Sequence, residues 1–257
     1  MLSLDISGAF DSVNHIRLLD NLRKKQVPLW FVRTVRSFLS ERSTTIVVDG
    51  VETAPQLLAA GVPQGSPLSP MLFLFYNAPL LEALDIPELR LSTLGFADDI
   101  NLLTYSESTV VNCITLESAH DRCLAWASTH GMRFAPKKYT LTHFTRRSNF
   151  DLKAPIRING REIAPKPVVR ILGVQLDTKL SWNAHTEAIN QKMKTQMYAL
   201  SRTTASTWGA TMEKARQVYL AVIHSAVSYG AVLWHRPGKK PKGPVTKLQK
   251  HQNSGLR

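Results

Sequence analysis

Cysteine is nearly absent. Cys113 and Cys123 are the only two in 257 residues, which is neither a disulfide framework nor a zinc pattern, so both read as small core residues of an intracellular protein. The eight histidines are scattered without metal-ligand spacing. The N-terminus lacks a charged region followed by an apolar run, so no signal peptide is visible. The longest apolar stretch, Met71 to Tyr76 with its flanks, is far short of the ~20 residues that span a bilayer. These absences predict a protein of the cytoplasm or nucleus, not secreted and with no membrane partner. No internal repeat is present. Acidic residues are in short supply, 19 against 32 lysines and arginines, which leaves a net charge of +13. A surplus of that size points to a polyanionic partner, nucleic acid first. With 44% hydrophobic and 20% charged residues, the chain folds, and it is long enough to bury a core in one large domain or two lobes.

Leu2 to Asp5 reads as the end of a buried strand. Asp11 or Ser12 can cap a following helix with Val13, Ile16, Leu19 and Leu22 on one face. Pro28 breaks it before a second amphipathic helix through Trp30, Val32, Val35 and Leu39. Thr44–Val48 and Val51–Leu58 are strand-like around the hairpin signal Asp49-Gly50. The stretch from Gly61 to Pro70 is too rich in proline and glycine for regular structure, but its Ser-Pro pairs open helices well. The helix behind it, to Leu84, is apolar nearly all round and predicts burial. A long helix spans Ser108 to His130, with Val111, Ile114, Leu116, Cys123, Leu124 and Trp126 apolar, and Gly131 stops it. Phe134–Phe144 returns as a strand, Ile156–Ile163 is a hairpin turning on Asn159-Gly160, and Val168–Leu176 is a further strand. From Trp182 onward the texture is helical, with helices over about 183–201 and 212–234. The lysine- and proline-rich end reads as a linker.

The chemistry-bearing stretch is Leu94-Gly95-Phe96-Ala97-Asp98-Asp99-Ile100-Asn101-Leu102-Leu103, a hairpin with two aspartates at its turn. Adjacent carboxylates repel, and each favours a proton unless a cation lies between them. Taken alone, the pair also fits a solvated turn. A third carboxylate, Asp5, ends another short apolar run, and a Pro-Gln-Gly loop lies between the two in sequence.

Three blocks thus stand in order: Leu4-Asp5-Ile6-Ser7-Gly8-Ala9-Phe10-Asp11, Gly61-Val62-Pro63-Gln64-Gly65-Ser66-Pro67, and Phe96-Ala97-Asp98-Asp99. The set resembles the palm of reverse transcriptases, most closely those of non-long-terminal-repeat (LINE-like) retrotransposons. Downstream, Gly131–Phe144 resembles the lysine-bearing palm motif, with Lys138 at the lysine position. Ile171–Asp177 resembles the primer-grip segment, and Trp208-Gly209, Tyr229-Gly230 and Trp234 resemble the thumb and connector.

The resemblance implies an α+β fold. A palm with an antiparallel sheet and packed helices would cover residues 1–180, a helical thumb 181–236 and a basic linker 237–257. It implies RNA-directed DNA polymerisation, with deoxynucleoside triphosphates added to a DNA primer on an RNA template. Two Mg²⁺ ions, or Mn²⁺, would activate the primer hydroxyl and neutralise pyrophosphate. By the same resemblance Asp5, Asp98, Asp99 and the Ile6 carbonyl hold the metals, and Lys138 protonates the leaving group. Phe10 excludes a 2′-hydroxyl, Gln64 and Gly65 meet the nucleotide, and Lys192, Lys194 and Arg202 track nucleic-acid phosphates. Asp5 as a strand-end cap, Lys138 as a solvated lysine and the thumb cations as a solvated face are the alternatives, and Asp11 reads as a helix cap. The fingers region that family members carry ahead of the first aspartate block is not seen before Asp5, which reads as a palm-and-thumb fragment of impaired activity. The rival class is a catalytically inactive RNA-binding scaffold derived from a polymerase.

The sugar gate is testable in a longer chain that includes a fingers region. Phe10→Val should raise ribonucleotide relative to deoxynucleotide incorporation, and an unchanged ratio with activity retained would make Phe10 a packing residue.

Overall fold

The alternation Leu2-Ser3-Leu4-Asp5-Ile6-Ser7 puts apolar side chains on one side of a strand and polar ones on the other. In the computed structural model, which describes residues 1–147, 150–204, 208–235, 246, 248 and 249, this segment is β1 (Leu2–Ser7), with Leu2, Leu4 and Ile6 fully buried. It lies inside an antiparallel sheet. A hairpin of β6 (Leu91–Phe96) and β7 (Asp99–Thr104) pairs along one edge of β1, while β8 (Arg133–Phe134) and β9 (Thr140–Leu141) pair along the other. The fold is therefore α+β, as the sequence implies.

Helices cover the Leu4 face. After β1 come α1 (His15–Lys24) and α2 (Leu29–Leu39), then α3 (Leu68–Leu84) and, after the hairpin, α4 (Thr109–His130). Asn14, not Asp11 or Ser12, caps α1, its Oδ1 accepting from the Arg17 N–H at 3.0 Å, a bond worth about 1 kcal/mol. The inward stripe of α1 is Leu18, Asn21 and Leu22, and Ile16 points outward. On α4 the buried residues are Thr109, Cys113, Leu116, Ala119, His120, Cys123 and Ala127, whereas Val111 and Ile114 are exposed. Helix α3 buries Leu72, Phe73, Tyr76, Leu80 and Leu84 but leaves Met71 and Leu74 more than half exposed. It is an outer-layer helix packed on β6, α1 and α4, so its apolar circumference exceeds what its neighbours cover. Gly95 on β6 makes that packing close. A Cβ there would lie 2.8 Å from a Leu81 methyl group of α3.

The expected hairpin around Asp49-Gly50 forms two short exposed ladders, β2 (Ser43–Thr44) with β5 (Gln56–Leu57) and β3 (Val47–Val48) with β4 (Val51–Glu52). Asn159-Gly160 turns β10 (Ile156–Ile158) into β11 (Arg161–Ile163).

The chain forms two compact units, Met1–His143 with Asn149–Lys166, and Phe144–Ser148 with Pro167–Arg257. Val168–Leu176 is not one strand. It is the hairpin β12 (Val168–Ile171) and β13 (Val174–Asp177), turning on Leu172-Gly173, both in the left-handed region. The hairpin belongs to the second unit and packs on α5 (Asn183–Ser201). The second expected helix runs through α6 (Met212–Val218), a π-helical segment Tyr219–His224 and α7 (Ser225–Ser228), and is broken before α8 (Ala231–Trp234), where Gly230 takes φ +66°. Ile189, Met193, Tyr219 and Ile223 form this unit's core. The linker expected over 237–257 lies outside the described residues, apart from Thr246, Leu248 and Gln249. Among the described residues no helix is long and apolar enough to cross a membrane.

Gly61 tests how tightly the loop before α3 is built. At φ +92° a Cβ would sit 2.9 Å from the Asp11 carbonyl oxygen, a backbone atom that cannot swing aside. Gly61→Ala should cost about 1–3 kcal/mol, read as a lower urea midpoint, and an unchanged midpoint would show that the loop relaxes freely.

Candidate active site

In an antiparallel pair, residues directly opposite one another share a face. β1 and β7 pair Leu4 with Ile100 and Asp5 with Asp99, so Asp5 and Asp99 stand side by side on the face away from the helices. The ladder runs one step further, with the Ile6 N–H donating to the Asp98 carbonyl at 3.0 Å. Asp98 therefore sits in the two-residue turn with Ala97, and Asp99 begins the return strand, opposite Phe96. Ala97 holds φ +51°, a left-handed conformation that costs a non-glycine residue about 1–2 kcal/mol.

Lys138 completes the group. The segment after β8 is pinned to β1 by the Ala135 N–H donating to the Asp5 carbonyl at 2.9 Å, and it turns through Pro136–Lys138 with the Lys138 N–H on the Ala135 carbonyl at 2.9 Å. The following residue, Tyr139, is buried, and its hydroxyl meets His120 Nε2 at 3.0 Å. So anchored, Lys138 donates from Nζ to both carboxylate oxygens of Asp5, at 2.8 and 3.1 Å. Its side chain is 64% exposed and that of Asp5 18%. The hydrogen bond and charge of Asp5, with the charges of Asp98 and Asp99, raise the Lys138 pKa. Burial raises that of Asp99, and the charges of Asp98 and Asp5 add to it against Lys138.

The metal question turns on this arrangement. The donors are hard carboxylate oxygens of the kind Mg²⁺ takes, and a cation, the Lys138 ammonium, already lies on Asp5. Among the described residues no three acidic, histidine or cysteine side chains are gathered into a ready-made metal cage. The donor type is nonetheless the kind that a divalent ion takes.

The Pro-Gln-Gly loop is stitched to the segment leaving β1. The Val62 N–H donates to the Phe10 carbonyl and the Gly61 N–H to that of Val13, both at 2.8 Å. Gln64 Nε2 donates to Asp11 Oδ1 at 3.0 Å, so Asp11 holds the loop rather than a helix end. Phe10 is partly buried, its ring 5.4 Å from that of Phe73. Gly65, at φ +90°, faces open space where a Cβ would be. Three residues of this face escaped the sequence reading. Ser3 Oγ donates to Asn101 Oδ1 at 2.6 Å one step along the sheet from Asp5 and Asp99, and Phe96 is 62% exposed beside Asp99. Period-two alternation through the hairpin carried that signal.

The profile described as "Reverse transcriptase (RNA-dependent DNA polymerase)" matches residues 1–176. The chain belongs to the reverse transcriptase family. It is 29% identical over 253 residues to the RNA-directed DNA polymerase from mobile element jockey of Drosophila melanogaster, covering 96% of this chain and 27% of that protein. It is 27% identical over 257 residues to the probable RNA-directed DNA polymerase from transposon BS of the same species, covering 99% and 28%. The chain thus spans little more than a quarter of these relatives, which are polymerases of the retrotransposon kind that the sequence resembles. A solved telomerase from Candida albicans, in complex with a fragment of telomeric RNA, superposes with a TM-score of 0.54 at 11% identity, over 98% of this chain and 47% of that one. That likeness concerns the fold alone.

In this reverse transcriptase chain the remaining expected residues, Lys192, Lys194 and Arg202, belong to the second unit and are exposed. They do not form one face, because positions two apart on a helix point to different sides. Lys192 lines an open cleft of about 880 Å³ with Arg170, Gln175 and His185, and the Arg202 guanidinium stacks 6.0 Å from the Tyr198 ring.

Asp99 gives a pH test. Its pKa is raised in the folded chain, so the folded state binds the proton more tightly than the unfolded one. That contribution is fully present below the ordinary aspartate value of about 3.9 and is lost as pH rises through the folded-state pKa. Asp99→Asn should flatten this part of the urea-midpoint profile and stabilise the chain above it by less than about 1 kcal/mol, since the group is largely exposed. A profile parallel to that of the parent would show that Asp99 feels no net repulsion.

Proposed function

We propose that this chain carries the catalytic palm of an RNA-directed DNA polymerase, extending a DNA primer on an RNA template with deoxynucleoside triphosphates. The observation that carries the reading is the Asp5–Asp99 pair, with Asp98 in the adjoining turn, on the open face of the sheet in a member of this family. Asp5, Asp98 and Asp99, with the Ile6 carbonyl, would hold two divalent ions, Mg²⁺ or Mn²⁺. Such ions, when bound, activate an attacking hydroxyl and neutralise a leaving pyrophosphate.

The chain's own residues supply positioning and proton transfer. Phe10, braced by Phe73, presents an aromatic edge where a 2′-hydroxyl would clash. Gln64 exchanges its bond to Asp11 for the nucleotide or template, and Gly65 leaves room for the base pair to approach the backbone. Lys138, whose ammonium lies on Asp5, would protonate the leaving oxygen. In the second unit, Lys192, Lys194 and Arg202 draw the phosphate backbone from more than one side of α5. We read the first unit, Met1–His143 with Asn149–Lys166, as palm and the second as thumb with its grip hairpin.

Binding and chemistry separate in the test. The purified chain should bind primer–template with affinity falling steeply as salt rises, yet extend it weakly. Holding reactants in place is worth an effective molarity of about 10⁵ M or more, and the described contacts grip the triphosphate from only part of its surroundings. Primer extension with Mg²⁺ against an Asp98→Asn control decides it. Weak extension abolished by Asp98→Asn supports the polymerase, tight binding with no Asp98-dependent extension supports the inactive scaffold, and robust Asp98-dependent extension shows that the described contacts suffice.

A further inference from the structure

Resting on the reading of Asp5, Asp98 and Asp99 as metal ligands, we infer that Lys138 sets the site's cation selectivity. Its ammonium is a built-in competitor for Asp5, displaced by a divalent ion but not by a monovalent one, and it is freed for the leaving group only when the site is loaded.

The geometry makes this a property of the chain rather than of one surface contact. The Lys138 backbone is fixed on both sides, by the Ala135 N–H on the Asp5 carbonyl and by buried Tyr139 on His120. The tip of the side chain alone is engaged, both bonds going to one carboxylate, and the stem is exposed. A four-carbon stem hinged on a fixed backbone swings without disturbing the fold. Among the described residues Lys138 makes no other ion pair, so nothing else holds the ammonium against Asp5.

Charge supplies the selectivity. Asp5, Asp98 and Asp99 all act on the Lys138 ammonium, so acidic groups outnumber the one cation there in a chain that is otherwise strongly basic. A potassium or sodium ion exchanging for the ammonium restores the same single charge and forfeits two well-formed hydrogen bonds. A divalent ion brings twice the charge to the same oxygens and prefers carboxylate ligands. Displacement therefore goes forward for a dication alone. The same exchange hands the proton donor its freedom at the moment the phosphates arrive with their metal.

The test reads metal binding rather than turnover. Mn²⁺ binding is followed at low ionic strength by loss of the free-ion electron paramagnetic resonance signal, in the parent chain, Lys138→Ala, Lys138→Gln and Asp5→Asn, with circular dichroism to confirm folding. Both Lys138 variants should bind Mn²⁺ about three to ten times more tightly, since a like charge beside the ion is gone, and Asp5→Asn should bind it more weakly. In the parent chain with ¹³C-methylated lysines, the Lys138 resonance should move with Mg²⁺ and stay still with Na⁺ or K⁺ at matched ionic strength. This reading needs no variant to fold. Unchanged or weaker Mn²⁺ binding by the Lys138 variants, with Asp5→Asn still impaired, overturns the role of Lys138 and leaves the metal reading standing. A Lys138 resonance indifferent to Mg²⁺ overturns it equally. Binding that Asp5→Asn does not alter removes the metal reading and this inference together.

Discussion

Strand β1 can pair with β7 in a register that keeps Leu2, Leu4 and Ile6 against the helices, or it can slip by one residue and turn Ser3, Asp5 and Ser7 into the core. The second arrangement buries a carboxylate against helices whose buried residues include no lysine or arginine, a cost of several kcal/mol. The register is thus fixed by the hydrophobic effect on one face and by charge on the other. Its by-product is Asp5 opposite Asp99. The same strand accepts β8 and β9 on its other edge, which brings the Lys138 turn to the Asp5 side of the sheet. The juxtaposition of Asp5 and Asp99 is a consequence of which face of one strand is greasy.

Asp98 and Asp5 both repel the Asp99 carboxylate, and the chain spreads the cost of that repulsion. Asp98 is placed in a turn whose other residue, Ala97, sits at φ +51°, where glycine would be relaxed. The strain and the charge repulsion fall on the same short hairpin and are offset by its six paired positions and by Ile100 and Leu102 buried beneath it. Lys138 offsets part of the repulsion directly. The hairpin is thus stabilised from below and stressed at its tip.

The sequence was most legible where short-range rules govern. Asn159-Gly160 as a turn, Gly131 as a helix end and Asp98-Asp99 at a hairpin follow from backbone preferences of a few residues, and the ordered motif blocks pointed to the family and to an α+β palm. It was least legible where a third element decides. Ile16, Val111, Ile114, Met71 and Leu74 satisfy helical periodicity yet lie in the open, because how much of a helix is covered depends on its neighbours and not on its own pattern. Lys138 and Asp5 are 133 residues apart, and nothing local to either announces an ion pair. Lys192 and Lys194 looked like one face because they are close in sequence, whereas a helix turns successive positions by about 100°. The break at Tyr229-Gly230 was hidden for the same reason, since a glycine inside a helical pattern is tolerated or not according to what it meets.

What it meets here is the hairpin of its own unit. The Tyr229 hydroxyl donates to the Leu172 carbonyl at 2.6 Å, and an added Cβ at Gly173 would lie 3.1 Å from the Tyr229 ring. A Cβ at Gly230 would lie 3.2 Å from a Val174 methyl group. Gly173 under the Tyr229 ring and Gly230 against Val174 let a helix end and a hairpin turn approach closely. In the first unit Gly61 plays the same part against the Asp11 backbone. The Gly in front of Val62-Pro63-Gln64-Gly65 and the Gly after Tyr229 are therefore packing residues, whereas an added Cβ at Gly65 would meet nothing within 4 Å. Two glycines of one motif, Gly61 and Gly65, thus differ in what surrounds them, the first pressed on backbone and the second in open space.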